Sequence, residues 1–185
     1  IAAPGNMPPH DPSLPWLQQG GSLNDASALS RTPVYGVVAV ENEEHVRAAL
    51  AFARENGLKV SMAAVRHSMG GHAFEDHALV LDMMRFSGIE LNEAARTVTV
   101  EPGATWHDIQ NLLHPRFAVK AMQSTDIFSV GGSISVNAHG MDHQAGALAG
   151  SIRRLRVMMA DGTVRECSRA ENADLFRHVV GGYGL

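Results

Sequence analysis

The sequence has little of several features that would place it in a class at once. Its 185 residues contain a single cysteine, Cys167, so an intrachain disulfide framework is not available. No apolar run reaches the roughly 18 residues that a bilayer span needs. The net charge of −4, without any basic cluster, disfavours nucleic acid and other polyanions as partners. A disulfide scaffold, a transmembrane segment and a nucleic-acid-binding surface are therefore not expected.

What is present is enough apolar sequence for a folded core. Hydrophobic residues make up 45% of the chain, which is typical of one globular domain or slightly more. Residues 1–32 differ, because they are rich in Pro, Gly, Asn and Ser without sustained periodicity, and they predict an extended leader. The chain begins with Ile1 rather than Met, which indicates a trimmed N-terminus and leaves both a cytoplasmic and an exported location open.

Regular secondary structure is predicted from Pro33 onward. Residues Val34–Val40 form a β-branched run, and Asn42 is a suitable N-cap for a helix that Gly57 ends. Another apolar run over residues 58–64 follows, so the order of strand, helix and strand predicts a βαβ unit. Ligands of such folds bind at the carboxyl ends of the strands. The loop after residue 64 is therefore the first predicted ligand site.

The second half of the chain predicts a mixture of hairpins and short helices. Residues Arg96–Val100 alternate as a half-buried strand should, after a predicted hairpin that runs from Met83 through Ser87-Gly88 to Asn92-Glu93. Thr105 and Asp108 are spaced as a capping pair at a helix start. Asp161-Gly162 predicts the turn of a second hairpin, and Asn172 is the expected cap of a helix that runs to Val180. These elements together predict an α+β fold.

Two glycine-bearing stretches carry the chemical information. The first is Ser61-Met-Ala-Ala-Val-Arg-His-Ser-Met-Gly-Gly-His-Ala-Phe74, a turn whose small residues and glycines bring backbone N–H groups together, as a phosphate or a ring requires. The second is Val130-Gly-Gly-Ser-Ile-Ser-Val-Asn-Ala-His-Gly140. Its glycines and hydroxyl residues allow a pyrophosphate to approach a helix start without any positive side chain. Both stretches together indicate a nucleotide ligand.

These motifs resemble those of a known flavoprotein family. Arg66-His-Ser-x-x-Gly-x-Ala73 is similar to the Gly-His-Ser-x-x-Gly-x-Ala loop of the p-cresol methylhydroxylase (PCMH) and vanillyl-alcohol oxidase type of FAD-binding domain, and its Arg-His-Ser form is closest to the alditol oxidase branch. Asn137-Ala-His-Gly-x-x-His-x-x-Gly146 resembles the second FAD-binding stretch, above all in the decaprenylphosphoryl-ribose oxidase branch. The resemblance continues through Gly-Gly-Tyr-Gly184 and covers roughly residues 33–185.

The resemblance implies a fold and a partner domain. The expected fold is an α+β FAD-binding domain of the PCMH type with two small α/β subdomains, at residues 33–121 and 122–185. The second is expected to be truncated before its last strands, because relatives continue with a further strand after the Gly-x-Gly-Leu run that ends this chain at Leu185. In the relatives a C-terminal substrate domain then covers the flavin ring. The chain is therefore expected to be the FAD-binding half of an enzyme and inactive as a separate fragment.

The resemblance also implies cofactor contacts, position by position. In the first stretch these are Met62, Ala63, Ala64, Val65, Arg66, His67, Ser68, His72 and Ala73. In the second they are Ser124, Ser129, Gly131, Gly132, Ser133, Ile134, Ser135, His139 and Gly140. His67 matches the histidine that many of these enzymes bond covalently to FAD, which raises the reduction potential of the flavin. Because the Gly-Gly-His72 sequence makes the end of the loop unusual, attachment through His72 stays open. His139 is expected to act as a catalytic residue at the reacting end of the ring.

The expected function is that of an FAD-dependent oxidoreductase. It would take a hydride from a small hydroxylated substrate of the alcohol or sugar type, and oxygen or another acceptor would reoxidise the flavin. Two alternatives are a binding module for a nucleotide or phosphate ligand without redox chemistry, and a protein in which both stretches are only tight turns. No metal site is expected, since a glycine follows His139 and no third ligand is suitably spaced from His139 and His143. Cys167 is expected to pack in a strand.

Overall fold

Residues 7–184 are described by the computed structural model, and the chain divides into two units, Ile1–Phe86 (unit 1) and Ser87–Leu185 (unit 2). The first six residues of the expected leader, and Leu185, lie outside the described residues. The division lies earlier than the expected subdomain boundary after residue 121. The physical reason is that residues of the hairpin at 89–100 pack on the same apolar cluster as Trp106 and Leu148. The subdomain limits stay a prediction.

Unit 1 is built around a four-stranded sheet. Its elements in chain order are β1 (Trp16–Gln19), β2 (Ser22–Leu23), β3 (Thr32–Pro33), β4 (Gly36–Ala39), α1 (Glu43–Glu55), β5 (Val60–Ala63) and β6 (Leu79–Asp82). The spatial order is β1-β4-β6-β5, with β4, β6 and β5 parallel and β1 antiparallel at one edge. The chain crosses from β4 through α1 to β5 and then inserts β6 between the two strands. The βαβ prediction is confirmed, and the loop 64–78 begins at the carboxyl end of β5.

Local signals explain these elements. All residues of β4 and β6 are buried, as expected for central parallel strands that are covered on both faces. Asn42 accepts a hydrogen bond from the backbone N–H of His45 and begins α1, as predicted. The face of α1 that packs inward carries Val46, Ala49, Phe52 and Ala53.

Part of the predicted extended leader, within residues 7–32, takes part in the fold of unit 1. β1 pairs with β4, although a register shift interrupts the pairing between Trp16 and Gln18. The rings of His10 and Tyr35 stack with centroids 4.5 Å apart, and the Trp16 ring contacts Tyr35 and Phe52 edge-on. This aromatic cluster holds the segment on the sheet. Periodicity could not reveal it, because the segment is stabilised by single aromatic contacts rather than by an apolar face.

Unit 2 contains two hairpins and three α-helices. Its elements are β7 (Ile89–Asn92), β8 (Thr97–Val100), α2 (Trp106–Leu113), α3 (Val130–Ser135), a 3-10 helix (Leu148–Gly150), β9 (Arg154–Met158), β10 (Val164–Ser168) and α4 (Ala173–Val179). The pairs β7–β8 and β9–β10 are antiparallel, which confirms the hairpin predicted at Asp161-Gly162. The first hairpin lies later than predicted, because residues 83–88 form no strand and the strand predicted at 96–100 is itself one arm, paired with Ile89–Asn92. Unit 2 has its own apolar cluster, around Trp106, Ile109, Leu113, Val130 and Leu148.

The predicted helix starts of unit 2 are confirmed in one case and corrected in part in the other. The Thr105 hydroxyl accepts from the Asp108 N–H, and the Asp108 carboxylate accepts from the Thr105 N–H, which is a complete capping box. Asn172 precedes α4, but its side chain does not cap the helix. It donates to the Glu166 carbonyl, because Asn172 adopts a left-handed conformation with φ 47°. The α+β class is confirmed, and no helix of the part that the structure describes is long and apolar enough to cross a membrane.

Candidate cofactor site

The first glycine-bearing stretch forms the end of β5 and the loop that leads to β6. The predicted contact residues of this stretch differ in exposure. Met62 is 53% exposed, and the His67 and His72 side chains are also exposed, whereas Ala63 is buried at the end of the strand. The remaining members are half-buried: Ala64, Val65, Arg66, Ser68 and Ala73. The loop therefore presents both candidate histidines to solvent on a wall of small residues.

Arg66 has an unusual backbone for a residue with a side chain. Its φ is 55°, in the left-handed region that favours glycine. A guanidinium nitrogen of Arg66 lies 2.9 Å from Asp82 Oδ2 at the end of β6, and the Arg66 carbonyl accepts from the Ala26 N–H at 2.8 Å. These contacts stabilise the strained backbone just before His67.

The glycine pair after His67 holds an internal carboxylate. Gly70 and Gly71 have φ values of 132° and 76°, and their N–H groups converge on Asp25 Oδ2 at 2.9 Å and 2.6 Å. The Ser27 hydroxyl keeps the pKa of the Asp25 carboxyl well below its usual range. The Gly71 N–H lowers this pKa further, to a smaller degree. The sequence predicted these two N–H groups as donors to a phosphate, but both already donate to Asp25. Backbone donors for a cofactor must come from elsewhere in the stretch.

Sequence reasoning missed Asp25 and its neighbours. The spacing Asp25-Ala-Ser27 is that of a turn in which a carboxylate accepts from the N–H two residues on, and the structure shows this bond at 2.9 Å. That local signal could have been read. The partner residues 45 and 46 positions further on could not, because nothing in the local pattern indicates them.

The second stretch begins α3 in unit 2. Ser129 is buried and is the N-cap of this six-residue helix, with its hydroxyl accepting from the Gly132 N–H at 3.4 Å. A Cβ on Gly131 would lie 2.9 Å from both the Cβ and the carbonyl oxygen of Pro102, so a glycine is needed there for close packing. Gly132 is exposed, and Ile134 is half-buried.

The hydroxyls of α3 are used within unit 2. Ser133 is 1% exposed, and its hydroxyl accepts from the Trp106 indole N–H at 2.9 Å while lying within hydrogen-bonding distance of the Ser129 carbonyl and the Gln123 side chain. Ser135 Oγ donates to the Gly131 carbonyl at 3.0 Å. Both hydroxyls support the helix. A cofactor contact by either remains a prediction.

A cavity of about 320 Å³ brings together predicted contacts from both ends of the second stretch. It lies between residues 119–124 and 140–146, and Ser124 and Gly140 line it with Lys120 and Asp142. A Cβ on Gly140 would lie 2.2 Å from the Met122 carbonyl oxygen, so only glycine fits in this wall. Serine, backbone groups and apolar side chains around such a cavity fit part of a flavin nucleotide. The nearby cation, Lys120, departs from the expectation of a neutral cradle.

His139 is adjacent to this cavity. It forms an antiparallel bridge with Ala147 that closes the loop 140–146, and its side chain is exposed. Its Nδ1 lies 3.0 Å from the Gly140 carbonyl, which can only accept, so a neutral His139 carries its proton on Nδ1. Its Nε2 is then the unprotonated nitrogen.

A larger cavity of unit 2, about 470 Å³, lies beside α4 and is lined by none of the predicted contact residues. Its two arginines have partners, Arg177 with Asp174 and Arg169 with the carbonyls of Ala149 and Ile152. We therefore place the candidate site at the smaller cavity, where Ser124 and Gly140 meet.

Two remaining sequence predictions concern metal ions and Cys167. Within residues 7–184, no group of three or more His, Cys, Asp and Glu side chains is arranged to hold a metal ion. Cys167 is 1% exposed on β10, and burial raises the pKa of its thiol, which confirms that it packs in the interior. The prediction that the two stretches grip one dinucleotide involves both units and stays a prediction.

Comparison with known proteins agrees with the motifs. Residues 34–168 match the FAD binding domain family. L-gulonolactone oxidase of Mus musculus is 33% identical over 142 residues, which cover 71% of this chain and 30% of that protein. Decaprenylphosphoryl-beta-D-ribose oxidase of Mycolicibacterium smegmatis is 31% identical over 144 residues, 76% of this chain and 31% of that protein. Carbohydrate oxidase of Microdochium nivale is 30% identical over 154 residues, 78% of this chain and 30% of that protein.

The chain thus spans about 30% of the length of these relatives. The match to the domain family covers most of the chain, from the strand that begins the parallel sheet of unit 1 to the last residue of β10 in unit 2. This chain therefore belongs to the FAD binding domain family of the PCMH type, as its two glycine-bearing stretches indicate.

Proposed function

We propose that this chain is the FAD-binding part of an oxidoreductase that takes a hydride from a CH–OH group of a sugar-type or other hydroxylated substrate. The family match over residues 34–168 carries the proposal. The names of three relatives support the substrate class, since they are oxidases of gulonolactone, of a ribose derivative and of carbohydrate. The bound flavin would supply the hydride acceptor, with oxygen or another acceptor restoring it.

The proposed binding residues act mainly by shape and by a few polar side chains. In unit 2, Gly140 lets the cavity wall pack closely on the Met122 carbonyl, and the Ser124 hydroxyl lines the same cavity. In unit 1, the small residues Ala63 and Ala64 leave room for a planar ring to approach the strand end. Lys120 brings a cation to the cavity lining that could pair with a pyrophosphate, although the carboxylate of Asp142 lines the same cavity.

We propose His67 as the residue that tethers FAD covalently. Its side chain is exposed and its backbone lies between two anchored points, Arg66 and the Gly70–Gly71 turn. A nucleophile on a loop of fixed geometry pays little entropy to reach its target atom. His72 is also exposed and is the alternative attachment site.

His139 is the proposed catalytic residue at the reacting end of the ring. Its Nδ1 proton is directed at the Gly140 carbonyl, which leaves Nε2 able to accept a proton from a hydroxyl group. Its position next to the cavity that Gly140 lines supports this role.

The visible spectrum of the purified chain, followed by a denaturing gel, tests the cofactor and its attachment. We expect the unmodified chain to show flavin absorbance together with in-gel fluorescence. The in-gel fluorescence should be lost in His67→Ala and retained in His72→Ala. The reverse pattern would assign the tether to His72. Absorbance that disappears on denaturation of the unmodified chain would overturn covalent attachment while leaving FAD binding in place. A colourless chain that does not take up added FAD would contradict the proposed function.

A further inference from the structure

Asp25 connects the N-terminal segment of unit 1 to the loop that carries His67. One carboxylate oxygen, Oδ2, accepts from the Gly70 and Gly71 N–H groups, and the other, Oδ1, accepts from the N–H and the hydroxyl of Ser27. The residue is 6% exposed. Four donors therefore compensate the carboxylate, which is how a charge away from water is kept in place without a cation.

The neighbours of Asp25 hold the same loop. The Ala26 N–H donates to the Arg66 carbonyl at 2.8 Å, so residues 25 and 26 bind the loop on both sides of His67. The Ser30 side chain packs against Gly71 so closely that a Cβ there would lie 2.5 Å from the Ser30 Cβ. This short segment therefore contacts the loop at three points, one before His67 and two after it.

The Gly70–Gly71 turn depends on Asp25 more than the later part of the loop does, where the His77 N–H donates to the Pro33 carbonyl and Phe74 is buried in the core. Gly70 and Gly71 lack side chains and have φ values of 132° and 76°. Glycine has the largest backbone freedom of any residue, so this turn keeps one conformation only where outside contacts hold it. The Asp25 carboxylate is the acceptor for both of its N–H groups.

We propose that Asp25 is a positioning residue that fixes the Gly70–Gly71 turn and thereby sets the direction in which His67 meets the flavin. The inference rests on the proposed function, because it concerns attachment of the cofactor at His67. It makes cofactor attachment depend on a carboxylate that lies outside the residues that match the domain family, which begin at residue 34. Asp25 itself acts through the loop and does not touch the ring.

The test combines a reading that needs no cofactor with one that does. Amide hydrogen exchange of Gly70 and Gly71 is measured by NMR on the FAD-free chain, and covalent incorporation is timed by in-gel fluorescence after FAD is added. In Asp25→Ala we expect exchange of both amides to rise and incorporation to slow, each at least about tenfold, because both N–H groups lose the carboxylate that accepts from them. Asp25→Asn keeps one side-chain oxygen, so its rates of exchange and incorporation should fall between those of Asp25→Ala and those of the unmodified chain.

Asp76→Asn is the matched control. Asp76 is exposed near the end of the same loop, and its carboxylate has no hydrogen bond or ion pair among residues 7–184. This variant changes the charge as Asp25→Asn does, so unchanged exchange and unchanged incorporation are expected. An equal slowing in Asp76→Asn would show a general charge effect and would overturn the positioning role.

The outcomes separate the inference from the proposed function. Faster exchange in Asp25→Ala with unchanged incorporation would overturn the positioning role, and unchanged exchange would overturn the clamp itself. If Asp25→Ala does not fold, as judged by its urea transition, Asp25→Asn supplies the same two readings. If the unmodified chain binds FAD without a covalent bond, the dissociation constant replaces incorporation, and an unchanged value in the variant overturns the role. An unmodified chain that binds no FAD overturns the proposed function and the flavin role of Asp25 together.

Discussion

The two glycine-bearing stretches use the same residue type for different physical reasons. In unit 1, Gly70 and Gly71 adopt positive φ values and shape a turn whose N–H groups converge on a carboxylate. In unit 2, Gly131 and Gly140 have ordinary backbone angles, but a Cβ on either would collide with neighbouring backbone, at Pro102 and at Met122. The first two glycines are needed for their conformation, with Gly71 also packed against the Ser30 side chain, whereas Gly131 and Gly140 are needed only for close packing.

This difference predicts different sensitivities. A turn that depends on conformation can be held or released by a remote residue, because hydrogen bonds from a separate segment stabilise it. A stretch that depends on close packing is held by its own neighbours, and it responds to added volume rather than to loss of a distant partner. Glycines in two motifs of one chain therefore do not share one role.

The largest effect is expected for Gly140→Ala. The new methyl group would lie 2.2 Å from the Met122 carbonyl oxygen, and neither backbone can move without disturbing the cavity wall. We expect the free energy of unfolding of unit 2 to fall by about 3 kcal/mol, measured by urea denaturation. Gly150→Ala is the control, because its nearest neighbouring atom lies 3.8 Å away, and its effect should stay within about 0.5 kcal/mol. Equal midpoints for the two variants would contradict the packing role.

A smaller and separable effect is expected for Gly71→Ala. The positive φ costs about 1 kcal/mol for a residue with a Cβ, and overlap with Ser30 at 2.5 Å adds a further cost. Combining it with Ser30→Gly should recover the steric part, about 1 kcal/mol, in a double-mutant cycle followed by urea denaturation. Gly57→Ala, at φ 63° with open space around it, isolates the backbone cost. A cycle with no coupling would show that Ser30 moves aside freely.

The smallest effect is expected at Arg66. Arg66→Gly relieves the left-handed backbone and loses a partly exposed ion pair with Asp82, each worth roughly 1 kcal/mol or less, so its net change should stay within about 0.5 kcal/mol. Arg66→Ala loses the ion pair and keeps the strain, and it should be less stable than the glycine variant by about 1 kcal/mol. Thermal unfolding of the two variants side by side measures the difference. An alanine variant as stable as the glycine variant would rule out strain at φ 55°.

Much of the fold could be predicted because its signals are local. The start of α1 at Asn42, the capping box of Thr105 and Asp108 and the hairpin turn at Asp161-Gly162 are visible within a few residues of sequence, and the structure confirms them. Strand β1 was missed, because its aromatic anchor Trp16 contacts a helix residue, Phe52, that is remote in the chain.

The candidate site was predicted less completely, since a residue type does not reveal its surroundings. A serine after two glycines reads as a donor for a phosphate, yet Ser133 is buried and bonded to Trp106. Gly70 and Gly71 read as free donors, yet Asp25 accepts from both. In each case the group is already bonded to a partner that is remote in the chain, and a local sequence pattern does not show such a partner.

The sequence by itself determined most element types from residue 34 onward, the flavoprotein family and the identity of the two stretches, because capping, alternation and motif spacing act between residues a few positions apart. Only the tertiary structure decided which groups in those stretches remain available to a cofactor. The physical reason is that the deciding contact, from the Gly71 N–H to Asp25, joins residues 46 positions apart, and such a bond exists only once the sheet of unit 1 has brought both segments to the same place.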